Sequence, residues 1–118
     1  MEQNIFQVLN EAHLEEIMTS HIRNLVVVML SSKDCPPCKT IKPKFVGLAK
    51  KHADVFFIYV DRSNYNVMTN KYFASFEYTP TFIFYFGGNQ IAFVEGANEE
   101  NLIKTLMTLK QKIDYSRA

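Results

Sequence analysis

A chain of 118 residues, with 47% apolar and 14% aromatic side chains, has the composition of one folded domain and not of a disordered tail. Its net charge of +1 lacks the basic excess of a nucleic-acid binder, and its longest apolar run, Leu25 to Leu30, is too short to cross a bilayer. The first residues, MEQNIF, carry neither the basic stretch nor the apolar core of a secretion signal, so a cytoplasmic location without nucleic-acid or membrane partners is expected.

Ile5 to Leu9 reads as a short edge strand. Asn10 is placed to cap a helix from about Glu11 to Ser20, with Leu14, Ile17 and Met18 facing inward. Leu25 to Leu30 is apolar on both faces and rich in β-branched residues, which predicts a buried central strand. The only two cysteines follow at once, in SSKDCPPCKTIKP. Beyond them Ile41, Phe45, Leu48 and His52 recur at helical spacing. Lys39, Lys42, Lys44, Lys50 and Lys51 make this second helix basic, either as a solvated outer face or as a patch for phosphate or an acidic partner.

Val55 to Val60 predicts a second buried strand ending at Asp61, and residues 64–73 a weaker helix with Tyr65, Met68 and Tyr72 inward. Thr81 to Phe86 is a third strand, joined by the turn Gly87-Gly88-Asn89 to Ile91–Glu95 as an antiparallel hairpin. Asn98 caps a last helix carrying Leu102, Ile103, Leu106, Met107 and Leu109, and residues 111–118 read as a frayed polar tail. One domain is expected over 1–118, its core at about 5–110. The order β-α-β-α-β-α-β-β-α predicts an α/β fold with a central mixed sheet of about five strands flanked by about four helices. Phe73, Phe76, Tyr78, Phe82, Phe84 and Phe86 are expected to fill the core; His13, His21 and His52 are expected at the surface or at helix ends.

Cys35 and Cys38 fall between a buried strand and a helix, at i and i+3 of the helix start. Such residues share a face within disulfide reach, and the free N–H groups and dipole there favour a thiolate. On this reading Cys35 is the exposed nucleophile and Cys38, one turn in, the buried resolving thiol. Pro36 and Pro37 are tolerated where helix N–H groups lack intrahelical acceptors, and they stiffen the gap between the sulfurs. Lys33 and Lys39 favour the anion and adjacent Asp34 opposes it, so a moderately depressed Cys35 pKa is expected. The competing readings are a zinc site, for which two ligands are missing and the histidines lack finger spacing, and a chemically inert pair. Position favours redox exchange, because C-x-x-C beside a βαβ pattern is a redox arrangement.

Over about residues 5–110 the chain resembles the thioredoxin family. The likeness is carried by the apolar strand before CPPCK, Pro43, the strand ending at Asp61, Thr79-Pro80-Thr81, the glycine turn at 87–88, and Gly96-Ala97 before the last helix. Pro37 matches the family's proline; a further proline at Pro36 is similar to some plant thioredoxins and to tryparedoxin- or nucleoredoxin-like proteins. The resemblance implies a thioredoxin fold, a bend of the second helix at Pro43, and a cis Thr79–Pro80 bond with Pro80 beside the disulfide. It implies substrate binding at Thr79, Tyr78, Gly96 and Ala97, in a groove that takes an extended segment. It further implies a monomeric protein-disulfide reductase or oxidoreductase acting on disulfide-containing proteins. Such a protein has no prosthetic cofactor and no metal, and draws electrons from a thioredoxin reductase or glutathione. A non-catalytic binding module of the same fold is the alternative. Asp34 and Ser31 stand where the family has aromatics, and Met29 and Phe57 stand where it has a buried acid and a neighbouring lysine.

Overall fold

The computed structural model describes residues 4–63, 71–73 and 75–117. Within them run β1 (Ile5–Val8), α1 (Glu11–Ser20), β2 (Val26–Ser31), α2 (Pro36–Lys51), β3 (Phe56–Asp61), β4 (Thr81–Phe86), β5 (Asn89–Glu95) and α3 (Glu99–Arg117). The strands form one sheet in the order β1-β3-β2-β4-β5. β1, β3 and β2 pair in parallel, β4 returns antiparallel to β2, and β5 closes a hairpin on β4. The sheet is therefore mixed, with β2 at its centre and every residue of β2 buried.

Alternation along the strands divides the core in two. Val27, Met29, Phe57, Phe82 and Phe84 face Ile41, Phe45 and Leu48 of α2 and Leu102 and Leu106 of α3. Val26, Val28, Leu30, Ile58 and Ile83 face the other way, toward Leu14, Ile17 and Met18 of α1 and toward Phe73 and Phe76. A strand covered on both sides cannot alternate apolar with polar, which is why β2 reads as a continuous apolar run.

The ends of α1 and α3 follow the sequence. Asn10 Oδ1 accepts the His13 amide at 2.9 Å, and Asn98 Oδ1 accepts that of Asn101 at 3.0 Å. α2 continues as one helix through Pro43. Asn4 is buried, and its Nδ2 donates to the carbonyls of Ala49, His52 and Val55 at 2.8, 3.0 and 2.9 Å, tying the end of α2 to the sheet.

Three helices are present among the described residues. Most of the helix expected at 64–73, with Tyr65 and Met68, lies outside them; Lys71–Phe73 form a turn, Phe73 fully buried. α3 is helical to Arg117, through the segment expected to fray. Leu109 and Ile113 extend the stripe of Leu102 and Leu106 and pack on the core, while Ile103 and Met107 face solvent on another stripe. Phe86 is only half-buried, at the end of β4.

His21 and His52 terminate α1 and α2. The His21 ring stacks on Phe56 at 3.6 Å, and burial holds its pKa below the usual value. His52 Nδ1 lies 2.9 Å from Lys110 Nζ, which also pairs with Asp54 at 3.0 Å. Burial, then the Lys110 charge, holds the imidazole pKa down. For Asp54 burial pushes the carboxyl up, but the Lys110 hydrogen bond and charge bring it below its usual range. No described helix is long and apolar enough to cross a membrane.

Candidate active site

β2 ends at Ser31 and α2 begins at Pro36, so a short loop carries the chain from the carboxyl edge of the sheet into the helix. Open α/β sheets place their functional groups at that edge. Cys35 is the N-cap of α2, and Pro36 and Pro37 fill its first two positions. The Cys38 amide donates to Cys35 Sγ at 3.2 Å, so the sulfur occupies the place that a Ser or Asp oxygen takes at other helix starts. Cys35 and Cys38 are joined by a disulfide, their Cα atoms 5.2 Å apart.

Cys35, expected to be exposed, retains only 4% of its accessibility, against 2% for Cys38. Both belong to the apolar cluster with Met29, Phe57 and Phe82, so the closed disulfide rests on the core. Asp34, Pro36, Pro37 and Lys39 supply the exposed rim. Burial therefore does not tell the two sulfurs apart; the hydrogen bond from the helix start does.

The opposite wall comes from the loop into β4. Thr81 pairs with Leu30, which sets the preceding residues beside the loop that follows β2. The Thr79–Pro80 bond is cis, with Pro80 buried and Thr79 half-buried. Tyr78, counted from sequence among core aromatics, is 69% exposed: it precedes β4, and its carbonyl accepts the Thr81 hydroxyl at 2.7 Å while its ring faces solvent. The Gly96 amide donates to the Pro80 carbonyl at 2.8 Å, bringing Gly96 and Ala97 to the same wall. Gly96 has φ +92°, a conformation strained for side-chain-bearing residues.

Four contacts escaped the sequence reading. The hydroxyls of Ser32 and Thr79 meet at 3.0 Å. Arg62 Nη1 donates to the Glu77 carbonyl at 2.6 Å, holding the loop before Tyr78. The Tyr59 hydroxyl donates to buried Ser31 Oγ at 3.1 Å, and Lys42 Nζ lies 4.0 Å above the Tyr59 ring. Tyr59 faces the same side as Phe57, two residues earlier on β3, so strand alternation alone carried the last signal.

Met29 and Phe57 are both fully buried in the cluster that holds the cysteines. The buried polar side chains among the described residues are Asn4, Ser31 and Thr81, none of them a carboxylate. Among the described residues no three His, Cys, Asp or Glu side chains are grouped to hold a metal ion.

A family model described as Thioredoxin matches residues 5–108. The chain belongs to the thioredoxin family. It is 38% identical over 101 residues to the thioredoxin of Gallus gallus, covering 85% of this chain and 93% of that one. It is 38% identical over 84 residues to thioredoxin H3 of Arabidopsis thaliana, covering 71% of this chain and 70% of that one. Among solved structures it resembles Fasciola hepatica thioredoxin, with TM-score 0.79 and 31% identity over 92% of this chain and 98% of that chain. It also resembles the reduced Schistosoma mansoni thioredoxin pre-protein, with TM-score 0.82 and 29% identity over 90% and 98%. The five-stranded mixed sheet is thus a thioredoxin fold, and the bonded cysteine pair on it supports the thiol–disulfide oxidoreductase chemistry of thioredoxins.

Proposed function

We propose that this chain reduces or exchanges protein disulfides through the Cys35/Cys38 couple. In the reduced state the Cys35 thiolate attacks one sulfur of a partner's disulfide, and the other sulfur leaves as a thiolate and takes up a proton. Cys38 loses its proton and attacks Cys35 Sγ in the mixed disulfide, releasing the partner's second thiol. Two electrons and two protons have then passed to the partner, and the Cys35–Cys38 bond is re-formed. An external thiol donor, a thioredoxin reductase or two molecules of glutathione, resets the pair with two electrons and two protons.

The observation that carries this reading is the Cys38 amide aimed at Cys35 Sγ, at the start of a 16-residue helix. The helix end stabilises negative charge on that sulfur more than on its neighbour one turn in, which supports Cys35 as nucleophile and Cys38 as resolving thiol. Pro36 and Pro37 leave no unused N–H at the first two helical positions. Thr79, Tyr78, Gly96 and Ala97 form the groove that receives the partner's extended segment, paired in the manner of an added strand. The protein acts as a single-domain monomer in the cytoplasm.

The apolar Met29 and Phe57 favour a second reading, a non-catalytic binding module, because among the described residues no buried carboxylate is at hand to move the Cys38 proton. Insulin reduction separates the two. Catalysis should require Cys35, vanish in Cys35→Ser, and give a trapped mixed disulfide in Cys38→Ser. A reduced Cys35 inert to iodoacetamide near neutral pH, with no insulin cleavage, would establish the binding module instead.

A further inference from the structure

The outer flank of α2 carries charge that the exchange mechanism does not use. Lys39, Lys42, Pro43, Val46 and Lys50 line an open cleft of about 520 Å³. Their spacing puts them on one stripe of the helix. No carboxylate lines the cleft, and none of its three lysines is within ion-pair distance of an acid among the described residues. By contrast Lys44, on the same helix, is paired with Glu99, and Lys110 with Asp54. On a chain whose net charge is only +1, this is a local concentration of unneutralised cations.

Two features separate the stripe from an ordinary solvated face. Lys42 is half-buried, and its ammonium sits 4.0 Å above the Tyr59 ring, so one charge is fixed in place. Lys42 also forms part of a second cleft, with Ile5, Phe6, Gln7 and Tyr59, which extends the surface toward β1. Between the charges, Pro43 and Val46 give an apolar floor. The stripe starts at the residue after Cys38 and ends eleven residues later, a span of about 17 Å along the helix.

We infer that this flank docks an acidic segment of the protein whose disulfide is exchanged. The inference rests on the proposed exchange activity and adds to it a partner class: proteins with Asp and Glu, interspersed with apolar residues, within about 20 Å of the reactive disulfide. Complementary charge raises the encounter rate and orients the partner with its disulfide over Cys35. A nucleic acid would use the cations but not the apolar floor.

The test compares two synthetic disulfide peptides differing only in a six-residue tail, either Glu-Leu repeats or Gln-Leu repeats, as substrates of the reduced full chain. The expected result is a ratio of rate constants, Glu tail over Gln tail, of about 10 at low salt, falling toward 1 at about 0.5 M salt. In Lys42→Gln/Lys50→Gln the ratio should also fall toward 1. Equal rates for the two tails, or a ratio that persists in the double variant, would overturn the inference. So would inhibition of the Glu-tail reaction by an oligothymidylate of equal charge as strong as that by a disulfide-free Glu-tail peptide. Should neither peptide be reduced, the exchange reading fails on its own. Docking is then read by fluorescence anisotropy of a disulfide-free Glu-tail peptide on the oxidised chain: tighter binding than the Gln tail, lost in the double variant, supports it, and equal binding overturns it.

Discussion

The hydroxyls of Ser32 and Thr79 stand 3.0 Å apart, one on the loop leaving β2 and the other just before the cis bond. Side chains 47 positions apart in sequence thereby join the two walls of the site. Thr79→Val keeps the shape and removes the hydroxyl. It should lower stability by about 1 kcal/mol in urea unfolding and slow insulin reduction by up to about tenfold through misplacement of the wall. An unchanged rate despite lost stability would show that the contact serves only the fold.

Met29 is fully buried beside the cysteines. Met29→Asp places a carboxyl among apolar groups, with loss of about 3 kcal/mol near pH 7. Burial raises the folded-state pKa of that carboxyl above the unfolded value, so the variant approaches wild type below the unfolded carboxyl pKa of about 4 and weakens as pH rises through the folded value. Urea midpoints from pH 3 to 8 check the sign.

Asn4 serves three carbonyls at one point where α2 ends and β3 begins. Asn4→Ala takes a donor from the buried Ala49 and Val55 carbonyls, while the His52 carbonyl keeps the Val55 amide, and should lower stability by about 2 kcal/mol. Thermal unfolding reads the loss, and iodoacetamide reactivity of Cys35 should stay as in wild type, since the clamp grips the far end of α2.

The His52 imidazole is held below its ordinary pKa of 6.5, by burial first and by Lys110 second. The unfolded chain then binds the proton more readily, so this contribution to stability is complete above about pH 6.5 and is lost as pH falls through the folded value. His52→Asn should flatten the fall in urea midpoint between pH 7 and 5. Part of the slope should survive, because burial lowers His21 in the same sense.

Tyr78 projects into solvent at the rim. Tyr78→Ala should change stability by less than about 0.5 kcal/mol while raising KM for a protein disulfide several-fold. An unaltered KM would remove this ring from the groove.

Much of this architecture was legible in the residues. The run Leu25 to Leu30 is continuous because both sheet faces are covered, and Asn10 and Asn98 announced their helices through side-chain chemistry local to a few positions. The CPPC motif was legible for the same reason, since its neighbours on the page are its neighbours in space. Sequence reading fell short where a residue's surroundings come from distant segments. Tyr78 resembles Phe82 and Phe84 in composition, yet it lies before β4 and is exposed, whereas they are strand residues under α2. The burial of Cys35 depends on Met29 and Phe82 from two strands. The pairing of Tyr59 with Ser31 depends on side-chain reach across neighbouring strands, which no one-dimensional pattern records.

The length of α3 has a practical bearing. Its first turn follows Gly96, whose amide is bound to Pro80, and its 19 residues carry the chain about 28 Å away from that anchor. A fluorophore, a bead or a second protein grafted onto Ser116 would hang at the pole opposite the sulfurs. Immobilised that way, the molecule would keep its working face turned toward whatever is poured over it.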